Sequence, residues 1–226
     1  MRVYIAAILF SVALEAADPH EMWEQAVAAK GGRERLHSVH SLAIYLRPAQ
    51  LNLPGPPTNW LCVFPDRYFE FTGRMNARAI AVDRSAGRVA IDMTGVPRGT
   101  RPLGPDENDR LILNQLLFLL ETEWLQPRIV DARSNELTVE AGGRQFRIQL
   151  DRDNLPRRIQ AKHLYDYTLE RYRDFKGLKL PVRVTSRGGI RQWTWDADYE
   201  IDAKYNPKIF ERVPDLADGP EPWRRR

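Results

Sequence analysis

Cysteine is nearly absent. Cys62 stands alone among 226 residues, so no internal disulfide can staple the fold, and core burial must hold a chain of this length together. Cys62 lies in the apolar run Trp60 to Phe64 and reads as a buried structural thiol. Histidine is scarce as well, with four residues. His37 and His40 form an H-x-x-H pair without a third ligand at a recognisable spacing, while His20 falls on a helix and His163 on a strand, so no metal site is expected. Asp196, Asp198 and Glu200 line one strand face, as a solvated face does, and have none of the spacing of a calcium loop. The chain has no G-x-S-x-G, no phosphate-binding glycine loop and no cysteine–histidine pairing in a persuasive context. No catalytic residue and no cofactor are therefore assigned, and the chain reads as a non-enzyme.

Charge of one sign is in short supply. The formal net charge is +4, and part of that excess is the closing Arg224-Arg225-Arg226. No basic helix or RNA-binding aromatic motif accompanies it, so nucleic acid is not an expected partner. Long hydrophobic runs are missing too. The one extended apolar run, Val3 to Leu14, rises only about 18 Å as a helix against a hydrocarbon core of about 30 Å. With Arg2 ahead of it and Ala13, Ala16 and Ala17 behind, residues 1–17 read as a signal peptide cut between Ala13 and Ala17. The mature chain is expected to be periplasmic or otherwise exported, and soluble.

What the sequence has in abundance is alternation. Phe146, Ile148 and Leu150 flank Arg147 and Gln149. Leu180, Val182 and Val184 alternate with Lys179, Pro181 and Arg183, and Trp193, Trp195, Ala197, Tyr199 and Ile201 with Thr194, Asp196, Asp198 and Glu200. A period of two over successive short runs, separated by Gly142-Gly143, Asp153-Asn154, Lys176-Gly177 and Gly188-Gly189, predicts antiparallel strands with one apolar and one wet face. Earlier runs at Ser41 to Arg47, Asn59 to Phe64, Tyr68 to Thr72, Ala79 to Asp83 and Arg88 to Met93 continue the same sheet. Leu51 to Pro57 and Gly95 to Pro105, rich in proline and glycine, read as loops.

Two helices interrupt the strands. Asp18-Pro19-His20-Glu21 is a capped start, Met22, Trp23, Ala26 and Val27 share a face, and Gly31-Gly32 ends the helix. Arg33 to His37 adds a short turn. The second helix spans Asp106 to Thr122, and from Leu111 to Leu120 only Asn114 and Gln115 are polar. A helix apolar nearly all round must be covered on several sides, either as core under the sheet or as a movable plug over a ligand cavity. Residues 18–214 form one domain, and residues 215–226 read as a flexible basic tail.

The order of these features resembles a known family. Trp23 through Ala29 with Gly31-Gly32, Glu34 and Leu36 is similar to the opening of periplasmic outer-membrane lipoprotein-sorting proteins of the LolA/LolB-like class. Pro65-Asp66-Arg67, Asp151 with Asn154-Leu155-Pro156, Tyr172-Arg173-Asp174-Phe175 with Gly177-Leu178-Lys179-Leu180-Pro181, and Tyr199, Tyr205-Asn206, Phe210 and Pro214 fit as well. The resemblance implies an α+β, mainly β fold: a strongly curved open antiparallel sheet, a half-barrel, with the N-terminal and central helices on its concave face. It also implies a carrier that holds lipid or lipoprotein acyl chains in that apolar cavity and meets a membrane-associated donor or acceptor protein. The candidate lining is Leu111, Leu116, Leu117, Phe118, Leu120, Phe146, Ile148, Leu180, Val182, Trp193 and Trp195. A non-enzymatic interaction or sensor module on the same scaffold is the alternative.

Overall fold

The computed structural model describes residues 18–49, 57–73, 77–161, 165–188 and 191–224. The leader over residues 1–17 and His163 lie outside the described residues. Thirteen strands lie among the described residues: β1 Ser41–Pro48, β2 Thr58–Val63, β3 Arg67–Thr72, β4 Arg78–Asp83, β5 Arg88–Met93, β6 Val96–Pro102, β7 Arg128–Arg133, β8 Glu136–Ala141, β9 Arg144–Leu150, β10 Pro156–Ala161, β11 Tyr165–Phe175, β12 Leu178–Gly188 and β13 Arg191–Ile201. They pair antiparallel in one sheet, ordered β6-β5-β4-β3-β2-β1-β13-β12-β11-β10-β9-β8-β7. β6 and β7 stay unpaired with each other, so the sheet curls without closing.

Helix α1, Pro19–Lys30, starts as its sequence dictates: the Asp18 carboxylate accepts from the His20 backbone N–H at 3.0 Å, and proline occupies the first turn. Gly31 ends it at φ 131°, where a Cβ would stand 2.3 Å from the Gly177 carbonyl oxygen. Only glycine lets α1 end against the β11–β12 turn. Helix α2, Arg33–His37, follows, and α3 covers Pro105–Phe118.

The inner core joins Met22, Trp23, Ala26 and Val27 of α1, Leu36 of α2, the apolar residues of α3, and one face of the sheet from Val89 round to Leu137. Registered rows show how the alternation works. Leu42, Cys62, Tyr68, Val82 and Val89 lie directly across from one another on the inner face of β1 to β5. Leu137, Ile148, Ile159 and Tyr167 do the same on β8 to β11.

Four expectations change. The helix expected to run to Thr122 ends at Phe118, because Leu120 turns left-handed at φ 66° with no glycine or proline to announce it. The segment expected as a loop from Gly95 to Pro105 contains β6, paired to β5 on one side only. As an edge strand it tolerates Pro97 and Pro102, which would break a central strand. The tail expected to lie loose instead folds back as short 3-10 turns at Leu216–Asp218 and Pro222–Arg224, and Trp223 is 1% exposed. Finally, the outer face is not wet throughout. Ala43, Leu61, Phe69, Ala79, Ala81 and Ala90 form a second core with Ala203, Ile209, Phe210 and Trp223.

Candidate functional site

The concave groove is organised by α3. Every residue from Leu111 to Leu120 is buried, including Asn114 and Gln115. Gln115 keeps its polarity satisfied internally, accepting from the Thr122 hydroxyl at 2.9 Å. Phe118 meets the Trp60 and Tyr199 rings edge-on, with centroids 6.0 and 5.8 Å away. Ile112 packs so tightly over the β8–β9 turn that a Cβ on Gly142 would stand 2.0 Å from its Cδ1.

Polar tethers hold both ends of this helix. Near its start, the Arg110 guanidinium donates to Glu70 at 2.6 Å, and Arg144 reaches Asp109 at 2.8 Å. Just past its end, Glu121 is 2% exposed and takes three groups: the Trp23 indole N–H at 3.0 Å, Arg33 Nε at 2.7 Å, and His37 Nε2 at 3.1 Å. Arg33 also grips Glu24, and these two carboxylates hold its guanidinium firmly protonated. α3 is thus pinned to β3 and the β8–β9 turn at one end and to α1 and α2 at the other.

The candidate lining residues fall into this arrangement unevenly. Leu111, Leu116, Leu117, Phe118 and Leu120 pack with Phe146, Ile148, Leu180 and Trp195 in one core. Trp193 is partly buried at its margin, its ring 6.4 Å from that of Trp195. Val182 is half-buried and falls outside the core cluster. It lies between the Glu170–Arg183 and Tyr172–Pro181 pairs, opposite Arg171, whose φ of 57° interrupts the strand alternation.

Three surface clefts of about 310, 380 and 480 Å³ are lined by α1 and the hairpins around it, and no α3 residue lines any of them. Among the described residues, α3 occupies the concave groove with Leu111 to Phe118 buried in the core.

Several ionisable residues in this interior escaped the alternation reading. Glu70 is 1% exposed and shares its carboxylate between Arg78 and Arg110. Burial pushes its carboxyl up, but the two guanidiniums overcome that and hold it below the usual range. The signal in the sequence was an acid at an inward position between Tyr68 and Thr72. Lys30, at the end of α1, is fully buried over the Tyr172 ring at 5.2 Å, and burial pushes its ammonium down to about 7. Burial, with help from the Glu70 charge, pushes the Cys62 thiol up to about 12, which makes it inert as a nucleophile.

No family model matches the sequence, and no curated protein matches it. Solved structures do. A LolA superfamily protein from Nitrosomonas europaea superposes with a TM-score of 0.54 at 11% identity, over 87% of this chain and 99% of that one. A candidate outer membrane lipoprotein-sorting protein domain from Vibrio parahaemolyticus gives 0.42 at 10% identity, covering 85% and 97%. A DUF1329 family protein from Desulfovibrio piger gives 0.43 at 11% identity, covering 87% and 98%. The first likeness establishes a LolA-like fold, the unclosed antiparallel half-barrel with helices inside; the two weaker ones add nothing to it.

Proposed function

We propose that this protein is an exported, non-enzymatic carrier that holds lipid or lipoprotein acyl chains on the concave face of its half-barrel, in the space α3 occupies. The observation that carries the reading is the burial of α3 on every side from Leu111 to Phe118, combined with polar tethers towards its two ends. An apolar rod held at its tips can leave as a unit. Its departure would open the core that Phe146, Ile148, Leu180 and Trp195 share with it, an apolar surface for a chain. A buried acyl chain gains roughly 0.8 kcal/mol per methylene. A permanently open groove would therefore hold its load too tightly for release, and the cost of displacing α3 lowers the net affinity. Among the described residues no helix is long and apolar enough to cross a membrane.

Native mass spectrometry of the full chain purified from an exporting cell is expected to show bound lipid. Leu116→Ala combined with Phe118→Ala should lower stability and raise the affinity for a fluorescent fatty-acyl probe. If the folded double variant binds no better, and the wild type shows no saturable binding, α3 is ordinary core. The interaction-module reading then replaces this one.

A further inference from the structure

Lys30, the last residue of α1, carries an amine that no tether of α3 uses. Its side chain is fully buried, and its Nζ has no hydrogen-bond partner among the described residues. The Tyr172 ring lies 5.2 Å from it. The charged groups around it are engaged elsewhere. Asp151, near Tyr172, accepts the Asp153 and Leu155 backbone N–H groups. The Tyr172 and Tyr199 phenols donate to the Pro156 and Pro181 carbonyls at 2.6 and 2.5 Å, and burial pushes both well above the ordinary tyrosine value. On α2, Arg33 is held by Glu24 and Glu121, and Arg35 donates to the Lys176 carbonyl. On β7 and β8, Asp131 pairs with Arg133 and Glu140 with Arg128. Glu170, Arg171 and Lys179 line the cleft beside Ala29, where Lys179 faces Asp174 at 3.8 Å. Gly31 and Gly32 follow Lys30 at φ 131° and 85°, and Gly31 sits directly against the Gly177 carbonyl of the β11–β12 turn. Arg33, next in the chain, grips Glu121 just past the end of α3. An uncompensated buried amine, two glycines and a clamp on α3 thus stand in one unbroken stretch, residues 30–33.

We propose that this α1–α2 joint is a proton-sensitive latch. When Lys30 takes up a proton, the joint lifts from the β11–β12 turn, Lys30 reaches water, and Arg33 slackens its hold on Glu121. The latch stands without the carrier reading, which gives its opening a use. An isolated ammonium is costly inside the fold. Burial therefore holds Lys30 down to about 7, whereas a lysine in water titrates near about 10.4. Between these values the lifted joint binds a proton that the seated joint lacks. Lowering the pH through that window favours lifting by up to about tenfold per pH unit. Below it both forms are protonated and the dependence ends. The lifted ammonium also stays close to the last carbonyls of α1, where positive charge is favourable. The glycine pair lets the joint move without moving the buried face of α1.

The test follows hydrogen exchange of the full chain across the same pH window, expressed as protection factors so that the intrinsic pH dependence drops out. The Gly31 and Gly32 amides donate to the Ala28 and Val27 carbonyls at 3.1 and 3.0 Å. They are expected to be less protected than the Val184 amide of central β12, and to lose protection by up to about tenfold per pH unit on acidification. The Arg33 Nε–H should follow them, and Lys30→Met should flatten both profiles. If Gly31 and Gly32 are as protected as Val184, the joint opens only with the whole fold, and the latch falls. A flat wild-type profile, an Arg33 Nε–H that does not follow, or a slope retained in folded Lys30→Met overturns it too. Should the variant not fold, the wild-type profiles decide alone. A second arm titrates a fluorescent fatty alcohol, whose head group carries no proton to lose in this window. Its affinity should rise several-fold on acidification in wild type and stay constant in Lys30→Met. Saturable binding indifferent to pH means that the joint does not act on α3, and overturns the latch. If the alcohol never binds while the joint still opens with the expected slope, the carrier reading fails and the latch stands.

Discussion

The two halves of the sheet solve the same problem differently. On β1 to β5 both faces are covered: Leu42, Cys62, Tyr68, Val82 and Val89 face the helices, and the row Ala43, Leu61, Phe69, Ala81 and Ala90 lies under the returning C-terminal segment. On β8 to β11 the inner row Leu137, Ile148, Ile159 and Tyr167 is backed by Thr138, Arg147, Gln160 and Asp166. Alanines in the first outer row leave room for Trp223 and Phe210 to lie close; long polar side chains in the second keep that face in water. Two of the buried ionisable groups, Glu70 on β3 and Lys30 of α1 over the Tyr172 ring of β11, differ as well. Glu70 has two guanidiniums, whereas Lys30 has only the Tyr172 ring and no hydrogen-bond partner among the described residues.

The largest expected effect breaks the comparison between the outer faces. Phe69 is 1% exposed, with the Trp223 ring 5.7 Å away. Phe69→Ala should cost about 3–5 kcal/mol in urea unfolding, while Arg147→Ala, on the exposed row, should stay within about 0.5 kcal/mol. Similar losses in the two variants would mean that the tail does not cover this face.

The buried charges should respond with opposite signs. Glu70→Gln leaves Arg110 without its counter-ion and is expected to cost about 3 kcal/mol near neutral pH. Because its folded pKa is depressed, Glu70 stabilises the fold above the ordinary glutamate value of about 4.3, and that contribution is lost as pH falls through the folded value. The variant should lose this part of the acid slope, and a midpoint profile that is unchanged in acid would remove Glu70 from the account.

Lys30→Met is expected to stabilise the protein at neutral pH, by on the order of 1 kcal/mol or more. With a folded pKa of about 7 against an unfolded value of about 10.4, the unfolded state binds more protons between them. Wild-type stability should therefore rise with pH across that window, and the variant should flatten the rise. A destabilised Lys30→Met would show that the ammonium has a favourable role in the fold.

The smallest expected effect sharpens the first. A double-mutant cycle with Phe69→Leu and Trp223→Leu should give a coupling of about 0.5–1.5 kcal/mol for the edge-on ring pair. Additive losses would mean that the tail covers this face without specific contact.

How much of this could be read from the chain follows the same division. In the half with a wet outer face, the alternation is written plainly, and Phe146, Ile148 and Leu180 lie inside as their spacing predicts. The α1 cap at Asp18 and its stop at Gly31 were equally legible, because capping and left-handed backbone are local chemistry. Where both faces are buried, strands such as β1 read as nearly continuous apolar runs, and nothing local says what lies on the second face. Trp223 reads as a tail residue until Phe69 is placed beneath it.

The site divides likewise. Composition alone requires that α3 be covered on several sides, since eight of the ten residues from Leu111 to Leu120 are apolar. The alternation likewise requires an antiparallel sheet with an inward face, because period-two patterning and turn residues act over a few neighbours. It took the folded arrangement to bring Arg110 to Glu70, 40 residues away, and to gather Trp23, Arg33 and His37 around Glu121 from 84 to 98 residues away. Those contacts depend on how far the sheet curls and where α3 crosses it. Charged pairs distant in sequence have no periodicity, so their meeting is fixed by packing alone.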